Sequence, residues 1–311
     1  MLLQKIIDNF RHVELKIRVG EILDILRGNL EWNKRMEETV LEMKKISEKI
    51  EKDLRKLSVN TYNQGKPGSK YVEEVIEKLG LRSVAGDYNY CRIGREYDGG
   101  YLMIDDFSEC TAAYSFGIND DVSWDMDMAK KGIDVYMYDP TIEGLPEQCD
   151  KFHFFKIGIS GAENDLAFPC RTLSEFLMEN GHLDNRHMIL KIDVEGSEWD
   201  AFHDIDPVLL EKFDQMVVEM HCLNDQHYYS RVLKSLDNIN KTHQAVHIHA
   251  NNFCTGVMCN GKFLPDVLEV TYLNRSKYDF GPYSGELPSA LDMPNDFECP
   301  DIYLGRQFAG K

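Results

Sequence analysis

The chain has 311 residues and a formal net charge of -18, and 43% of its residues are hydrophobic. That apolar content excludes a wholly disordered chain, and the acidic balance disfavours nucleic acid as a partner because phosphates require Lys and Arg. No apolar run approaches the ~20 residues of a membrane helix, and charged residues interrupt the N-terminus too early for a signal peptide. The eight cysteines are scattered without a CxxC pair, as in a reducing compartment. We therefore expect a cytoplasmic protein with no membrane span.

Residues 1–58 contain a heptad pattern. From Ile22 to Leu57 a 4-3 spacing places apolar residues at eight of eleven seam positions, separated by Glu, Lys and Arg. The pattern predicts a long N-terminal helix that forms a coiled coil and makes the protein a homo-oligomer. A single amphipathic helix packed on its own domain is the alternative. Residues 59–80 are predicted to form a linker with a short helix near Tyr71 to Leu79, followed by a main domain over 81–311 with an irregular C-terminal tail.

A glycine-rich turn precedes the first strong strand of the main domain. Asp98, Gly99 and Gly100 stand directly before the predicted strand Tyr101 to Ile104. Asp-Gly and Gly-Gly are common in hairpin turns, so the stretch has a purely structural interpretation. It is equally typical of a loop whose backbone approaches a ligand closely.

The next stretch has the order strand, loop, helix, strand and acid. The strand Ala112 to Phe116 is followed by the loop Gly117 to Asp121, a helix over about Val122 to Lys131, and the strand Ile133 to Tyr138, which ends at Asp139. This arrangement is typical of adenosine binding, because the helix start offers N–H groups and the acid can accept ribose hydroxyls. It is an α/β pattern with a parallel sheet.

The composition of that loop favours one cofactor over another. Only Gly117 is present where dinucleotide-binding loops have three glycines. Asp120 and Asp121 would repel a pyrophosphate but tolerate a cationic group such as a sulfonium. The loop therefore favours S-adenosylmethionine over NAD, although either Asp could instead cap the helix.

Carboxylates cluster after two later strands. MILKIDVEGSEW, residues 188–199, is a buried strand followed by Asp193, Glu195 and Glu198, and the predicted strand Phe213 to Val218 precedes Glu219 and His221. Ligands of open α/β sheets bind at the carboxyl ends of the strands, so these side chains are candidates for catalysis. His221 as a hydrogen-bonded core histidine is the structural alternative. Further strands are predicted at 151–161, 244–249 and 267–273, with helices at 172–181 and 223–236.

KIDVEGSEW resembles the signature of the FkbM-type S-adenosylmethionine-dependent methyltransferases. YSFGINDDVSWDMDMA, the DGGY turn at 98–101 and the pair Asp139–Pro140 resemble the same group, and the resemblance runs from about Arg92 to Leu273. It implies a class I methyltransferase (Rossmann-like) sandwich, with a mostly parallel sheet and one antiparallel strand. It also implies methyl transfer to an oxygen of a small molecule, commonly a sugar or a surface-glycan precursor. The multi-glycine first motif of many class I methyltransferases is missing.

These patterns predict the following site residues. The cofactor contacts are expected at Asp98, Gly99, Gly100, Tyr101, Ser115, Gly117, Asp121, Asp139, Ile159 and Asp193. The catalytic candidates are Asp193, Glu195, Glu219 and His221. Asp193, Glu219 and His221 could hold a divalent metal such as Mg²⁺ that lowers the pKa of an acceptor hydroxyl, or His221 could be the general base. Trp124 and Trp199 are interpreted as packing residues.

Two other functions are compatible with the sequence. A nicotinamide-dependent oxidoreductase would use the same acid at a strand end but more glycines in the first loop. A non-catalytic assembly module would act through the coiled coil. The acids at adjacent strand ends argue against such a module, because buried carboxylates without a ligand cost stability.

Overall fold

The computed structural model describes residues 43–45, 68–161 and 168–310. The chain divides into two units, Met1–Thr61 and Tyr62–Lys311. In the first unit residues 43–45 are helical. The rest of the predicted N-terminal helix and coiled coil, and residues 59–67 of the predicted linker, lie outside the described residues. All other described residues belong to the second unit.

The second unit alternates strands and helices. Its strands are β1 (Arg82–Val84), β2 (Tyr90–Ile93), β3 (Tyr101–Ile104), β4 (Ala112–Phe116), β5 (Val135–Tyr138), β6 (Phe152–Phe155), β7 (Gly158–Ile159), β8 (Cys170–Arg171), β9 (Met188–Ile192), β10 (Phe213–Met220), β11 (His243–Ala250), β12 (Gly256–Cys259), β13 (Lys262–Pro265), β14 (Leu268–Asn274) and β15 (Phe280–Pro282). Its helices are α1 (Ser69–Lys78), α2 (Ser123–Lys130), α3 (Leu173–Glu179), α4 (Glu198–His203), α5 (Pro207–Leu210) and α6 (Tyr229–Asn240).

Seven strands form the central sheet, in the spatial order β11-β14-β10-β9-β4-β5-β6. β14 runs antiparallel to both of its neighbours, and the other six strands all point in one direction. This is the mostly parallel Rossmann-like sheet with one reversed strand that the resemblance implies. Since parallel strands end at a common edge, the loops after β4, β5, β9 and β10 meet there.

The two faces of the sheet are covered by different elements. Trp199 and Phe202 of α4 pack in one apolar cluster with Leu190 of β9, and α1, α3 and α6 contribute to the same cluster. Trp124 of α2 packs on the other face with Ile189 of β9 and with residues of the β2–β3 hairpin. Successive strand residues point to opposite faces, so Ile189 and Leu190 separate the two clusters.

The central strands are buried along their whole length. Every residue of β4, β9, β10, β11 and β14 is buried, as expected for strands covered on both faces. A charged side chain in such a strand is therefore unusual. Lys191, Glu219 and Glu269 are three such residues.

Two predicted elements differ in the structure. Residues 151–161 were expected to form one strand, but the chain turns after β6, where the Ile157 N–H donates to the Phe155 carbonyl. The following β7 pairs with β8 outside the central sheet. The helix expected from Leu223 begins at Tyr229, because Asp225 accepts the backbone N–H of His227 and holds a turn before it. Thr172 and Glu175 form a capping box at the start of α3.

The C-terminal segment, residues 283–310, follows β15 and is irregular. It nevertheless buries Leu287, Leu304 and Phe308. Its backbone closes on itself at the bridge between Leu287 and Gly305. None of the described helices is long and apolar enough to cross a bilayer.

Candidate functional site

A cavity of about 800 Å³ lies at the carboxyl edge of the central sheet. The loops after β4, β5, β9, β10 and β11, together with the loop of the β2–β3 hairpin, form its wall. The predicted site residues that line it are Asp98, Gly99, Tyr101, Gly117, Asp121, Asp139, Ile159, Asp193, Glu195, Glu219 and His221. The structure therefore brings together eleven residues that the sequence predicted for the site.

Two predicted cofactor contacts, Gly100 and Ser115, are not among the described residues of this wall. Ser115 is buried inside β4. A Cβ at Gly100 would collide with the carbonyl oxygen of Arg95. Gly100 is therefore required by the tight hairpin loop, which is the structural interpretation of the glycine-rich turn.

The rest of that turn lies in the wall of the cavity. Gly99 has a φ of 86°, and a Cβ there would lie 2.5 Å from Oδ2 of Asp121. Asp121 also accepts hydrogen bonds from the backbone N–H of Ser123 (3.0 Å) and from its hydroxyl (2.9 Å). The hairpin loop thus packs on the start of α2, and both line the cavity.

Gly117 explains how a single glycine suffices in the loop 117–121, called here the cofactor loop because the sequence predicts cofactor contacts in it. Its φ is 81°, and a Cβ at this position would collide with the backbone carbonyl of Asp193. The loop after β4 therefore rests directly on the backbone that follows β9. A side chain of any size would separate the two loops.

Asp139 orders the same loop. Its Oδ2 accepts the backbone N–H groups of Ile118 and Asn119, each at 2.9 Å. Its Oδ1 accepts the backbone N–H and the hydroxyl of Thr141, at 2.8 and 2.6 Å. Burial alone would raise the pKa of Asp139, but these hydrogen bonds outweigh burial and hold the pKa below its usual value. A ribose hydroxyl would have to share one of these four acceptor positions.

Asp193, Glu219 and His221 form a compact cluster at the ends of β9 and β10. One ligand atom from each residue lies within 4.8 Å of the other two. The Tyr101 hydroxyl lies 3.1 Å from Oδ2 of Asp193 and 3.2 Å from Oε2 of Glu219, and can donate to either carboxylate. Asn251 donates to Oε1 of Glu219 at 2.8 Å. We refer to these three residues as the acid–histidine cluster.

Glu198 holds His221 in place. This fully buried carboxylate accepts the backbone N–H of His221 at 2.7 Å and lies 3.3 Å from its Nδ1. Its other oxygen accepts the N–H of Gly196 at 2.8 Å. Trp199 adds a hydrogen bond from its indole N–H to the His221 carbonyl at 2.7 Å. Trp199 is thus more than a packing residue. Glu198, one of the three carboxylates noted after this strand, is a positioning residue for His221.

The Nε2 atom of His221 points to the open side of the cluster. It lies 3.6 Å from Glu195, 3.7 Å from Glu219 and 3.9 Å from Asp193. These distances exceed those of hydrogen bonds. The two carboxylates and the imidazole thus surround a position without closing it.

The charges of the cluster are unbalanced. Burial would lower the pKa of His221, but Glu198, Glu219 and Asp193 raise it to about 10. Burial and the charges of Asp193 and Glu269 raise the pKa of Glu219 well above its usual value. Both shifts have the same origin, an excess of negative charge in a buried position. The arrangement is suited to binding a cation.

Lys191 connects the cofactor loop with this cluster. Although it lies inside β9, its ammonium donates to the Gly117 carbonyl at 2.7 Å. The same group lies 3.9 Å from Oδ2 of Asp193 and 5.7 Å from the centre of the Tyr101 ring. The sequence reading missed Lys191, and its signal was a lysine in an otherwise apolar strand.

Strained backbone concentrates around the cavity. Asn119, Glu195 and Cys222 have φ values between 51° and 56° although they are not glycines. Asn119 and Glu195 line the cavity, and Cys222 follows His221 directly. Such conformations cost free energy and are found most often at functional sites.

Residues 112–244 match the family model described as Methyltransferase FkbM domain. This part of the chain is therefore similar to FkbM methyltransferase domains. The match confirms the resemblance and extends from β4 to the start of β11, so it includes Gly117, Asp139 and the acid–histidine cluster. The β2–β3 hairpin, Asn251 and the C-terminal segment lie outside the matched range. A search of curated proteins found no match to the chain.

Proposed function

We propose that the protein is an S-adenosylmethionine-dependent O-methyltransferase that acts on a small molecule, a sugar or a surface-glycan precursor. The FkbM domain supports methyl transfer. One observation supports transfer to a hydroxyl: the acid–histidine cluster lines the same cavity as the cofactor loop. A hydroxyl between the two would lie next to groups that can bind it and take up its proton.

The residues at the cofactor end suit S-adenosylmethionine. Bound there, this cofactor would supply a methyl group activated by a sulfonium. Asp120 and Asp121 line the cavity beside Gly117 and would attract the positive charge of such a ligand. Ile159 and Asp139 would enclose the adenosine. NAD fits less well, because its pyrophosphate would face the same two carboxylates.

The acid–histidine cluster would act on the acceptor. Two carboxylates and an imidazole form a suitable ligand set for a divalent cation such as Mg²⁺, which would lower the pKa of a bound hydroxyl. In the second interpretation His221, oriented by Glu198, removes the proton itself. The raised pKa of His221 bears on both interpretations, because the imidazole must lose its proton before it can act as a base or bind a cation. In either case the acceptor oxygen bonds to the methyl carbon while the bond to sulfur breaks, and the cluster or the solvent takes the proton.

Calorimetric titration with S-adenosylhomocysteine and separately with NAD⁺ tests the cofactor. We expect micromolar affinity for S-adenosylhomocysteine and no measurable heat with NAD⁺. Binding of NAD⁺ alone would favour the oxidoreductase. Binding of neither ligand, repeated with Mg²⁺ present, would favour the assembly module.

A second titration tests the cation. We expect Mg²⁺ or Mn²⁺ to bind the purified, chelator-treated protein, and the variant Asp193→Asn to lose that heat. If the protein binds S-adenosylhomocysteine but neither cation, the result would favour the second interpretation, in which His221 is the general base.

We also propose that residues 1–58 mediate homo-oligomerisation through the heptad pattern. Light scattering of the full chain and of a chain lacking these residues provides the test. The full chain should have a multiple of the monomer mass and the shortened chain a smaller multiple. Equal subunit numbers would contradict the coiled coil.

A further inference from the structure

We propose that Tyr97 and Phe297, called here the aromatic platform, bind the apolar face of an uncharged sugar ring at the rim of the cavity, and that the acidic wall behind them excludes phosphorylated sugars. This inference rests on the proposed function and adds the charge class and the subsite of the acceptor.

The platform is tied to the wall of the cavity. The amide of Asn295 donates to Oδ1 of Asp98 at 3.0 Å, and Asp98 lines the cavity. Tyr97 precedes Asp98, and Phe297 follows Asn295 by two residues. The two rings lie 5.5 Å apart, centre to centre, at an angle of 54°. The hydrogen bond therefore joins the loop of the β2–β3 hairpin to the C-terminal segment, and the aromatic pair lies beside this junction.

Both rings are exposed to solvent, which is unfavourable for large apolar groups. The side chain of Phe297 is 70% exposed and that of Tyr97 is 40% exposed. Tyr97 also has a φ of 62°, a strained conformation for a bulky residue, and its carbonyl accepts a hydrogen bond from the Arg92 guanidinium. Exposed apolar surface and backbone strain at one position favour a binding role over a packing role.

The adjoining wall is strongly acidic. Its described lining includes seven carboxylates, from Asp98, Asp120, Asp121, Asp139, Asp193, Glu195 and Glu219. The lysine and arginine side chains of that lining are Arg95 and Lys191. Arg95 pairs with Asp121 at 3.3 Å, and Lys191 donates to the Gly117 carbonyl. A phosphate group would meet repulsion here, whereas hydroxyl donors would find carboxylate acceptors.

Aromatic rings beside carboxylates and an amide match the chemistry of an uncharged sugar. One face of a sugar ring consists of C–H groups and can cover an aromatic ring, while its hydroxyls point outward to polar partners. Asn251, whose amide bonds Glu219, and Glu195 are such partners at the inner end. Because the platform lies outside residues 112–244, it is a feature of this chain beside the matched domain.

Saturation-transfer NMR with the full chain tests the platform without a known acceptor. The probes are the methyl glycosides of common hexoses and 6-deoxyhexoses, with glucose 6-phosphate and mannose 6-phosphate as charged counterparts. We expect at least one methyl glycoside to bind, and the sugar phosphates not to bind. In Phe297→Ala the glycoside affinity should fall on the order of tenfold, because the ring supplies the apolar contact.

Tyr303→Ala is the matched control, because Tyr303 lies in the same segment and is also 70% exposed. This variant should bind the glycoside within twofold of the wild type. The affinity for S-adenosylhomocysteine, measured separately, should be the same in the wild type, Phe297→Ala and Tyr303→Ala. If the wild type did not bind S-adenosylhomocysteine, that result would contradict the proposed function but not the platform. Three outcomes would each contradict the proposal. They are glycoside binding that is unchanged in Phe297→Ala, sugar phosphates that bind as well as glycosides, and no glycoside binding to the wild type.

Discussion

Two histidines lie between carboxylates at the same edge of the sheet, yet their surroundings differ. His221 follows β10 and faces the cavity, whereas His249 in β11 lies beneath the C-terminal segment. Glu219 and Glu269 are paired residues on adjacent strands, and Glu269 is paired with His249 in turn. Burial opposes the charged form of both imidazoles, but neighbouring carboxylates raise both pKa values to about 10.

The hydrogen bonds separate the two centres. Both ring nitrogens of His249 are paired, Nδ1 with Glu269 at 3.0 Å and Nε2 with Asp301 at 3.1 Å. His221 is paired at Nδ1 alone, and its Nε2 lies 3.6 to 3.9 Å from three carboxylates. We call His249 with Glu269 and Asp301 the closed centre, because its hydrogen bonds hold the C-terminal segment on β11. We call His221 with its neighbouring carboxylates the open centre, because its Nε2 can still bind a ligand. The raised pKa therefore does not distinguish the functions of His221 and His249. The free hydrogen-bonding capacity of the His221 Nε2 atom does distinguish them.

The largest expected effect comes from the open centre. Asp193→Asn should lower methyl transfer on the order of 10³-fold, because it removes charge from the cluster that we propose acts on the acceptor hydroxyl. Thermal unfolding should change by at most about 2 °C, since Asp193 is partly exposed. The matched change Asp301→Asn, at the closed centre, should lower the temperature of thermal unfolding and leave methyl transfer nearly unchanged. A comparable loss of activity in both variants would mean that the two centres do not differ in function.

The closed centre should affect stability. His249→Gln leaves the buried Glu269 and the partly buried Asp301 without their cation and should cost about 3 kcal/mol of unfolding free energy. The folded pKa of His249, about 10, exceeds its ordinary value of 6.5, so its contribution is complete below pH 6.5 and is lost as the pH rises through 10. Denaturant unfolding from pH 6 to 10 should therefore show a gap between variant and wild type that narrows with pH. A gap that is constant or widens would refute this assignment.

Glu198→Gln should have a smaller effect on activity. The amide can still accept the His221 backbone N–H, but it lacks the charge that supports the imidazolium and orients the ring. We expect a loss of about 10- to 100-fold in turnover or cation affinity. The pH profile should shift as well, because the pKa of His221 falls when that charge is removed. A variant with reduced activity and an unshifted profile would show that Glu198 supports only the fold.

Lys191→Met should have the smallest effect of the four. Loss of the bond to the Gly117 carbonyl should loosen the cofactor loop and weaken S-adenosylhomocysteine binding about tenfold. Lys130→Met, at a surface lysine paired with Asp127, is the control and should bind normally by calorimetry. Unchanged affinity in Lys191→Met would show that the loop is held without this contact.

Patterns within single segments predicted much of the fold. The strands 112–116 and 188–192 have their predicted bounds, because each is apolar apart from one residue, Ser115 or Lys191, and ends at Gly117 or Asp193. The acids after β9 and β10 meet because parallel strands share an edge. The cluster of Asp193, Glu219 and His221 therefore follows from topology and pattern together.

Contacts between distant segments could not be predicted in this way. His249 and Asp301 are 52 residues apart and meet only because the irregular C-terminal segment returns to β11. No periodicity marks Asn295 as the partner of Asp98. Asp139 was predicted as a ribose acceptor from its position after β5, but the backbone N–H groups that occupy its oxygens are visible only when the loop is folded.

The tryptophans of the main domain have an optical consequence. The chain has three tryptophans, and the two in the second unit are Trp124, which lines the cavity, and Trp199, whose indole bonds the His221 carbonyl. Both are almost completely buried, so their emission should respond to changes inside the protein more than to the solvent. One indole neighbours the cofactor loop and the other the acid–histidine cluster. Unlabelled protein should therefore report occupancy of both halves of the cavity by its own fluorescence.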